Sequence, residues 1–183
     1  WDHINVFPTY EMYKDQFRIF GETIMDQGAL IYFDQDVDLV SVINQLTNVQ
    51  KIPYAALSLT DDKNILFNEN EYAISVIGNH NLQNMNAARL VCHHLDIDEK
   101  TFFTAIEDFK GANKRLQKIS EKDGRVIYLD FAHAPSKVKA TTESFKTWFG
   151  EKNLLAVLEL HTFSSLNKDF IVQYRDTLNK ADH

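Results

Sequence analysis

A run of amide and imidazole side chains lies near the middle of the chain. The stretch GNHNLQN, residues 78–84, includes His80, Asn81 and Asn84. Asn81 and Asn84 are three positions apart, so they share one face of the helix that the following residues predict. An amide offers donors and an acceptor together, as the edge of a purine does, and a first helical turn has free N–H groups. The stretch could therefore bind a nucleotide, or Asn79 or Asn81 could simply cap the helix.

Two further groups of ionisable residues follow later in the chain. Lys114 and Arg115 come just after Gly111, where a helical pattern breaks. Such a basic pair could reach a phosphate or could form a solvated turn. Asp130 ends an apolar run, and His133 lies in the loop after it. Because ligands of parallel sheets bind at the carboxyl ends of the strands, we expect both residues to face a crevice.

Polar residues also follow the next apolar run, and a histidine–carboxylate pair lies at the beginning of the sequence. His161, Ser164 and Ser165 belong to the loop HTFSS, which we expect at the same edge of the sheet. His3 follows Asp2 directly, so it could ligate a metal or form part of a simple surface pair. These residues complete the set of candidate functional positions.

Composition and charge exclude several classes of protein. The 183 residues suit one domain or two small ones, and Gly and Pro number 6 and 3, too few for a low-complexity chain. A net charge of −7 argues against general nucleic-acid binding, and no apolar run is long enough to cross a membrane. The single Cys92 fits a reducing, cytoplasmic compartment. None of the six glycines forms a G-x-x-x-x-G-K-[ST] loop, so the chain cannot hold a triphosphate alone in that manner.

Hydrophobic periodicity predicts the elements that must position these groups. Helical spacing is found over 9–27, from Val37 onward, over 81–95, after Asp98 as N-cap, over 136–149 and over 168–180. Short apolar runs predict strands at 29–33, 52–59, 65–67, 72–77, 125–130 and 154–160. Strand, helix, strand, helix from residue 125 onward is typical of a doubly wound parallel sheet. We therefore place a domain boundary near Gly111.

In this order, the motifs resemble those of the Mur ligases, the ATP-dependent amide-forming enzymes of peptidoglycan synthesis. The resemblance covers nearly the whole chain and rests on WDHINVF at 1–7, GNHNxxNxxAA at 78–88, FKGxxKR at 109–115 and DFAHAP at 130–135. It implies an α/β fold in two parts. Residues 1–110 would be the latter part of the central ATP-binding domain. Residues 111–183 would be the first half of a Rossmann-like, parallel-sheet ligase domain.

The same resemblance implies roles for the candidate residues. His3 would be a magnesium ligand, and HTFSS lies where the branch that uses UDP-N-acetylmuramate has a substrate loop, with His161, Ser164 and Ser165. The ATP site would comprise His80, Asn81, Asn84, Arg115, Asp130 and His133, with Arg115 and His133 also catalytic. Lys114, Leu129 and Ala134 stand where the family usually has an arginine, an acidic residue and a second histidine.

The function that follows from the resemblance is that of a cytoplasmic carboxylate–amine ligase using ATP and Mg²⁺, of which this chain alone would be an inactive fragment. Details of DHINVF and HTFSS favour the branch that joins UDP-N-acetylmuramate to the peptide L-alanyl-γ-D-glutamyl-meso-diaminopimelate, with the branch that adds L-alanine as the alternative. Two other classes stay open. One is a non-catalytic nucleotide-binding module; the other is a metallohydrolase that uses His3, His80 and His133 without ATP.

Overall fold

The computed structural model describes residue 1, residues 3–150 and residues 152–183. The chain begins with α1 (Tyr10–Glu22), β1 (Ala29–Phe33), α2 (Val37–Ile43) and β2 (Gln50–Tyr54). Strands β1 and β2 pair in parallel, with Ala29 opposite Gln50 and Phe33 opposite Tyr54. A parallel pair needs a crossover connection, and α2 supplies it. The two helices and the strand at 29–33 are found where periodicity predicts them, but the strand predicted at 52–59 ends at Tyr54, and residues 58–59 pair in a different sheet.

A small antiparallel sheet and two helices follow. The strands β3 (Ser58–Leu59), β4 (Ile65–Phe67) and β5 (Asn70–Tyr72) are ordered β3–β4–β5, and they precede α3 (Asn79–His94) and α4 (Glu99–Glu107). The predicted cap of α4 is confirmed, because the carboxylate of Asp98 accepts the N–H of Thr101 at 2.7 Å. The strand predicted at 72–77 ends early, at Tyr72.

The main hydrophobic core fixes α3 and α4 on this sheet. Phe103 is fully buried and stacks on Tyr72, with ring centroids 4.4 Å apart. Leu82 and Met85 bring the inner face of α3 into the same cluster, together with Ile65 of β4. The N-terminal end of α3 is therefore held by packing along the rest of the helix.

The last third of the chain begins with an antiparallel hairpin. Strands β6 (Gln117–Lys122) and β7 (Arg125–Leu129) pair, and α5 (Pro135–Phe149) follows. Strand β6 is not predicted from the sequence, because its residues are mostly polar and exposed and lack the alternation that marks a half-buried strand. Helix α5 starts at Pro135 as expected, since proline suits the first helical turn.

Two predicted elements beyond α5 are wrong. Residues 154–160 do not join β7 in a sheet; their backbone bonds to the chain end, with the N–H of Ala156 donating to the His183 carbonyl at 2.9 Å. The helix predicted over 168–180 is reduced to a 3-10 helix (Ile171–Tyr174). It stops there because Arg175 is extended and Asp176 is left-handed, with φ of 65°.

No helix among the described residues is long and apolar enough to span a membrane. Gly111, with φ of 91°, lies in the connection between α4 and β6. The division of the chain into domains at that residue stays a prediction.

Candidate functional site

The site is a cavity of about 650 Å³ between the N-terminal part of α3 and the residues that follow Gly111. Its volume lies in the range of small-molecule sites. It brings together five of the residues predicted to bind a nucleotide: His80, Asn81, Asn84, Arg115 and Asp130. Residues from both sides of the predicted boundary thus share one cavity.

Helix α3 presents its first turn to this cavity without a side-chain cap. Gly78 is the N-cap residue, with φ of 96° and ψ of 139°, and no side chain bonds to the first turn. The Asn81 amide donates to the Ile77 carbonyl at 2.7 Å. Capping by Asn79 or Asn81 is therefore not the role of this stretch. Asn84 lies one turn further along and is exposed at the cavity wall.

His80 forms a half-buried part of the wall. A Cβ at Gly78 would lie 2.8 Å from His80 Cε1 and 3.0 Å from Ser144 Oγ, so the ring packs directly against the glycine. Burial lowers the pKa of His80; Asp130 acts in the opposite sense, and Arg115 lowers the pKa further. The Nδ1 atom is buried and has no hydrogen-bond partner in the structure. Because Nδ1 is buried, His80 contributes the rest of its ring to the cavity wall.

Asp130 follows β7 directly and links the end of that strand to the loop that contains Arg115. Its Oδ2 accepts the N–H of Leu116 at 2.7 Å, and its Oδ1 accepts the N–H of Ala132 at 2.6 Å. The N–H of Phe131 also donates to the Lys114 carbonyl, at 2.8 Å. Asp130 therefore fixes the Arg115 loop on its Leu116 side and Phe131 fixes it at Lys114, while the Arg115 side chain stays exposed at the cavity.

The remaining lining combines an apolar wall with a second cation that sequence analysis missed. Met85, Ala88, Ile106 and Phe109 supply apolar surface on the side of α3 and α4. Lys137 lines the cavity from the first turn of α5. The sequence does place Lys137 two residues after Pro135, in a first helical turn, where free N–H groups also favour anions. That position could have indicated Lys137 as part of an anion site. The cavity can therefore hold a flat ring and an anionic group.

His133 is placed outside this cavity lining, in a group with His161. The two imidazole centroids are 6.4 Å apart, and the ring of Phe131 lies edge-on to His133 at 5.1 Å. Each Nδ1 is near a backbone carbonyl, that of Phe131 for His133 at 2.9 Å and that of Glu159 for His161 at 3.3 Å. The structure thus separates His133 from the other predicted nucleotide-binding residues.

The two serines of HTFSS are buried within a tight turn. Ser164 is 3% exposed and Ser165 is 1% exposed. Ser165 Oγ donates to the Thr162 carbonyl and accepts the Thr162 N–H, both at 2.9 Å. Ser164 Oγ accepts the N–H of Ile4 at 3.4 Å. The Ser165 hydroxyl therefore holds the loop, the Ser164 hydroxyl attaches it to the N-terminal turn, and His161 is the exposed member of the predicted substrate group.

His3 lies in an exposed N-terminal turn, with φ of 56°. Its carbonyl accepts the N–H groups of Val6 and Phe7, at 2.8 and 2.9 Å. Asp2, the other half of the predicted pair, lies outside the described residues. Over the part of the chain that the structure describes, no group of three His, Cys, Asp or Glu side chains could hold a metal ion. His3, His80 and His133 therefore do not come together as a metal site among these residues.

No model of a known protein family matches the chain. Over 99% of its length, however, it is 31% identical to the UDP-N-acetylmuramate–L-alanine ligase of Caldicellulosiruptor bescii, of which it covers 43%. The chain therefore spans less than half the length of the curated relatives it matches. The shared region contains every residue of the candidate cavity.

The chain is also similar in fold to solved structures of ligases. The UDP-N-acetylmuramate–alanine ligase of Thermotoga maritima matches 100% of this chain and 42% of its own, with a TM-score of 0.66 at 17% identity. The chain has the Mur ligase fold. The murein peptide ligase of Psychrobacter arcticus matches 93% of this chain and 39% of its own, with a TM-score of 0.58 at 21% identity. The predicted α/β class is confirmed, and the sequence relatives are Mur ligases of the L-alanine branch.

Proposed function

We propose that this chain is part of an ATP-dependent ligase that joins the carboxylate of UDP-N-acetylmuramate to the amine of L-alanine. The supporting observation is the single cavity that combines His80, Asn81 and Asn84 of α3 with Arg115 and Asp130 from beyond Gly111. An apolar wall, paired amides and two cations are the groups that an adenine nucleotide needs.

The choice of L-alanine reverses the preference of the sequence analysis. The curated relatives of the chain are named for L-alanine. The motif details that favoured the peptide lie in HTFSS, where Ser164 and Ser165 are buried. The Ser165 hydroxyl bonds within its own loop and the Ser164 hydroxyl bonds to Ile4, so neither indicates which amine is bound.

The proposed chemistry requires mainly positioning and charge neutralisation. A carboxylate is activated by accepting the terminal phosphoryl group of ATP, and the amine then displaces phosphate. In this proposal Asn81 and Asn84 bind the adenine edge, against the apolar wall. Arg115 and Lys137 neutralise phosphate oxygens, and Asp130 keeps the Arg115 loop in place. Because Arg115 belongs to the second part of the chain, its contact depends on how the two parts pack.

Magnesium fits this part of the chain only incompletely. Mg²⁺ prefers oxygen ligands and usually retains several waters. His3 is the metal ligand implied by the resemblance, and the described residues provide no complete ligand set around it. We therefore propose only that His3 contributes to magnesium binding.

The function can be tested on the full natural protein that contains this chain. Phosphate release is measured with ATP, Mg²⁺ and UDP-N-acetylmuramate, with L-alanine or the tripeptide as the amine. Release with L-alanine is expected. Release with the tripeptide alone would replace the proposed amine, and the absence of release with either amine would favour a non-catalytic nucleotide-binding module.

Two neighbouring basic residues provide a matched test of the site. Arg115 lines the cavity, whereas Lys114 precedes it in the same loop outside the lining. Arg115→Ala should lower turnover by at least about 100-fold, the scale of a lost transition-state donor. Lys114→Ala should leave turnover within about twofold. Equal effects of the two substitutions would contradict the assignment of Arg115.

A further inference from the structure

A segment near the end of the chain contacts both the N-terminal turn and the loop after β7. Phe170 is 3% exposed, and its ring meets the ring of Trp1 edge to face, with centroids 6.2 Å apart. The hydroxyl of Tyr174 donates to the carbonyl of His133. The rings of Phe170 and Tyr174 also pack edge to face, 6.4 Å apart. We call Phe170 and Tyr174 the aromatic strap.

A second contact attaches the N-terminal turn to the same segment. The N–H of Ile4 donates to Ser164 Oγ at 3.4 Å, and Ser164 is buried. Trp1 is itself held in place, since its indole N–H donates to the Phe7 carbonyl at 3.0 Å. The turn that contains His3 is therefore fixed to the segment of the aromatic strap at two points, Trp1 and Ile4.

Tyr174 of the aromatic strap contacts the backbone of the loop that leads from the nucleotide cavity. The His133 carbonyl lies three residues after Asp130, which lines the cavity and accepts the N–H of Ala132. A hydrogen bond at His133 therefore restrains a loop whose first residues form part of the cavity wall. Tyr174 is absent from that wall, so any effect on ligand binding must pass through the loop.

We propose that Tyr174 is a positioning residue for nucleotide binding, and that the aromatic strap couples the N-terminal turn to the nucleotide cavity. The inference rests on the proposed function. If the bond from Tyr174 keeps the loop in its binding shape, losing it lowers the competent fraction and weakens apparent affinity by the same factor. One neutral hydrogen bond corresponds to a factor of about five.

The test uses the full natural protein and the non-hydrolysable ATP analogue AMP-PNP as the probe. Calorimetry gives its Kd for wild type, Tyr174→Phe and Tyr10→Phe. The control is matched because Tyr10 also packs near Trp1, with centroids 6.5 Å apart, while its hydroxyl bonds to Asp38 at 2.7 Å. In parallel, fluorine NMR of 5-fluorotryptophan-labelled protein follows Trp1, whose signal is assigned by its loss in Trp1→Phe.

We expect Tyr174→Phe to weaken AMP-PNP binding about fivefold, and Tyr10→Phe to leave the Kd unchanged. We also expect AMP-PNP to shift the Trp1 resonance in wild type and not in Tyr174→Phe. Wild-type affinity in Tyr174→Phe would overturn the inference while leaving the proposed function intact. Failure of wild type to bind AMP-PNP would overturn the proposed function itself. If Tyr174→Phe does not fold, Trp1→Leu replaces it; this variant keeps the Tyr174 bond and should weaken AMP-PNP binding by less than about fivefold, and wild-type affinity in it would overturn the coupling.

Discussion

Replacing Gly78 by alanine should damage the candidate cavity and the stability of the protein together. The backbone of Gly78, with φ of 96° and ψ of 139°, lies in a region that other residues rarely adopt. Holding a residue with a Cβ there costs about 1–3 kcal/mol. The new Cβ would also lie 2.8 Å from His80 Cε1, which is closer than real contacts allow. The His80 ring must therefore move, and it forms part of the cavity wall.

Gly124 provides the matched control. It also has a positive φ, 74°, but a Cβ at that position would meet no atom within 4 Å. Gly124→Ala should therefore lower the free energy of unfolding by about 1–2 kcal/mol through the backbone alone. Gly78→Ala should lower it by that cost plus the displacement of His80, about 2–4 kcal/mol in total.

Urea unfolding measures the free energy of unfolding, and calorimetry measures the affinity for AMP-PNP. We expect Gly78→Ala to weaken AMP-PNP binding about tenfold, equivalent to ~1.4 kcal/mol, and Gly124→Ala to leave binding unchanged. Equal losses of stability in the two variants, with unchanged affinity in both, would refute the reasoning. That result would mean that the His80 ring is not held against Gly78 in solution.

Three other predictions concern charged or titratable groups. Asp130→Ala removes two short hydrogen bonds to backbone N–H groups and should lower the free energy of unfolding by about 3 kcal/mol in urea; a loss below ~1 kcal/mol would contradict this. Because the pKa of His80 is lowered in the fold, wild type should lose stability relative to His80→Gln as pH falls below the ordinary value of 6.5, and parallel pH curves would refute this. Arg89→Ala leaves Glu99 without its 2.6 Å partner and should cost about 2 kcal/mol, while Arg89→Lys should recover part of that loss.

The elements that sequence analysis predicted well are those whose signal is local. Strand β1 has the bounds that its apolar run predicts, and α4 begins at the predicted cap, Asp98. In both cases the residues that define the element lie within a few positions of each other. Strand β6 lacks such a signal, because it forms only through pairing with β7. Its polar sequence gives no reason to expect a strand before the partner is known.

The strand predicted at 154–160 is wrong for a different reason: its local pattern is present, but it does not pair with the partner that the pattern led us to expect. Residues 154–160 are apolar and strand-sized, yet Leu155 is 70% exposed and Val157 is 92% exposed. An apolar run predicts a buried strand only where other elements cover it. The expected contact with β7 is absent from the described structure, and the segment bonds instead to residues 182 and 183. A local pattern could not indicate which partner the segment has.

For the candidate site, the sequence predicted five of the residues that line the cavity but not the contacts that each one makes. Asp130 illustrates the difference, since the resemblance to Mur ligases implies a contact with the ribose. In the structure both of its carboxylate oxygens accept backbone N–H groups, from Leu116 and Ala132. Its larger contribution is therefore to fix the loop that carries Arg115. Nucleotide affinity should then depend on Asp130 through the placement of Arg115, so substitutions at the two positions should be strongly non-additive.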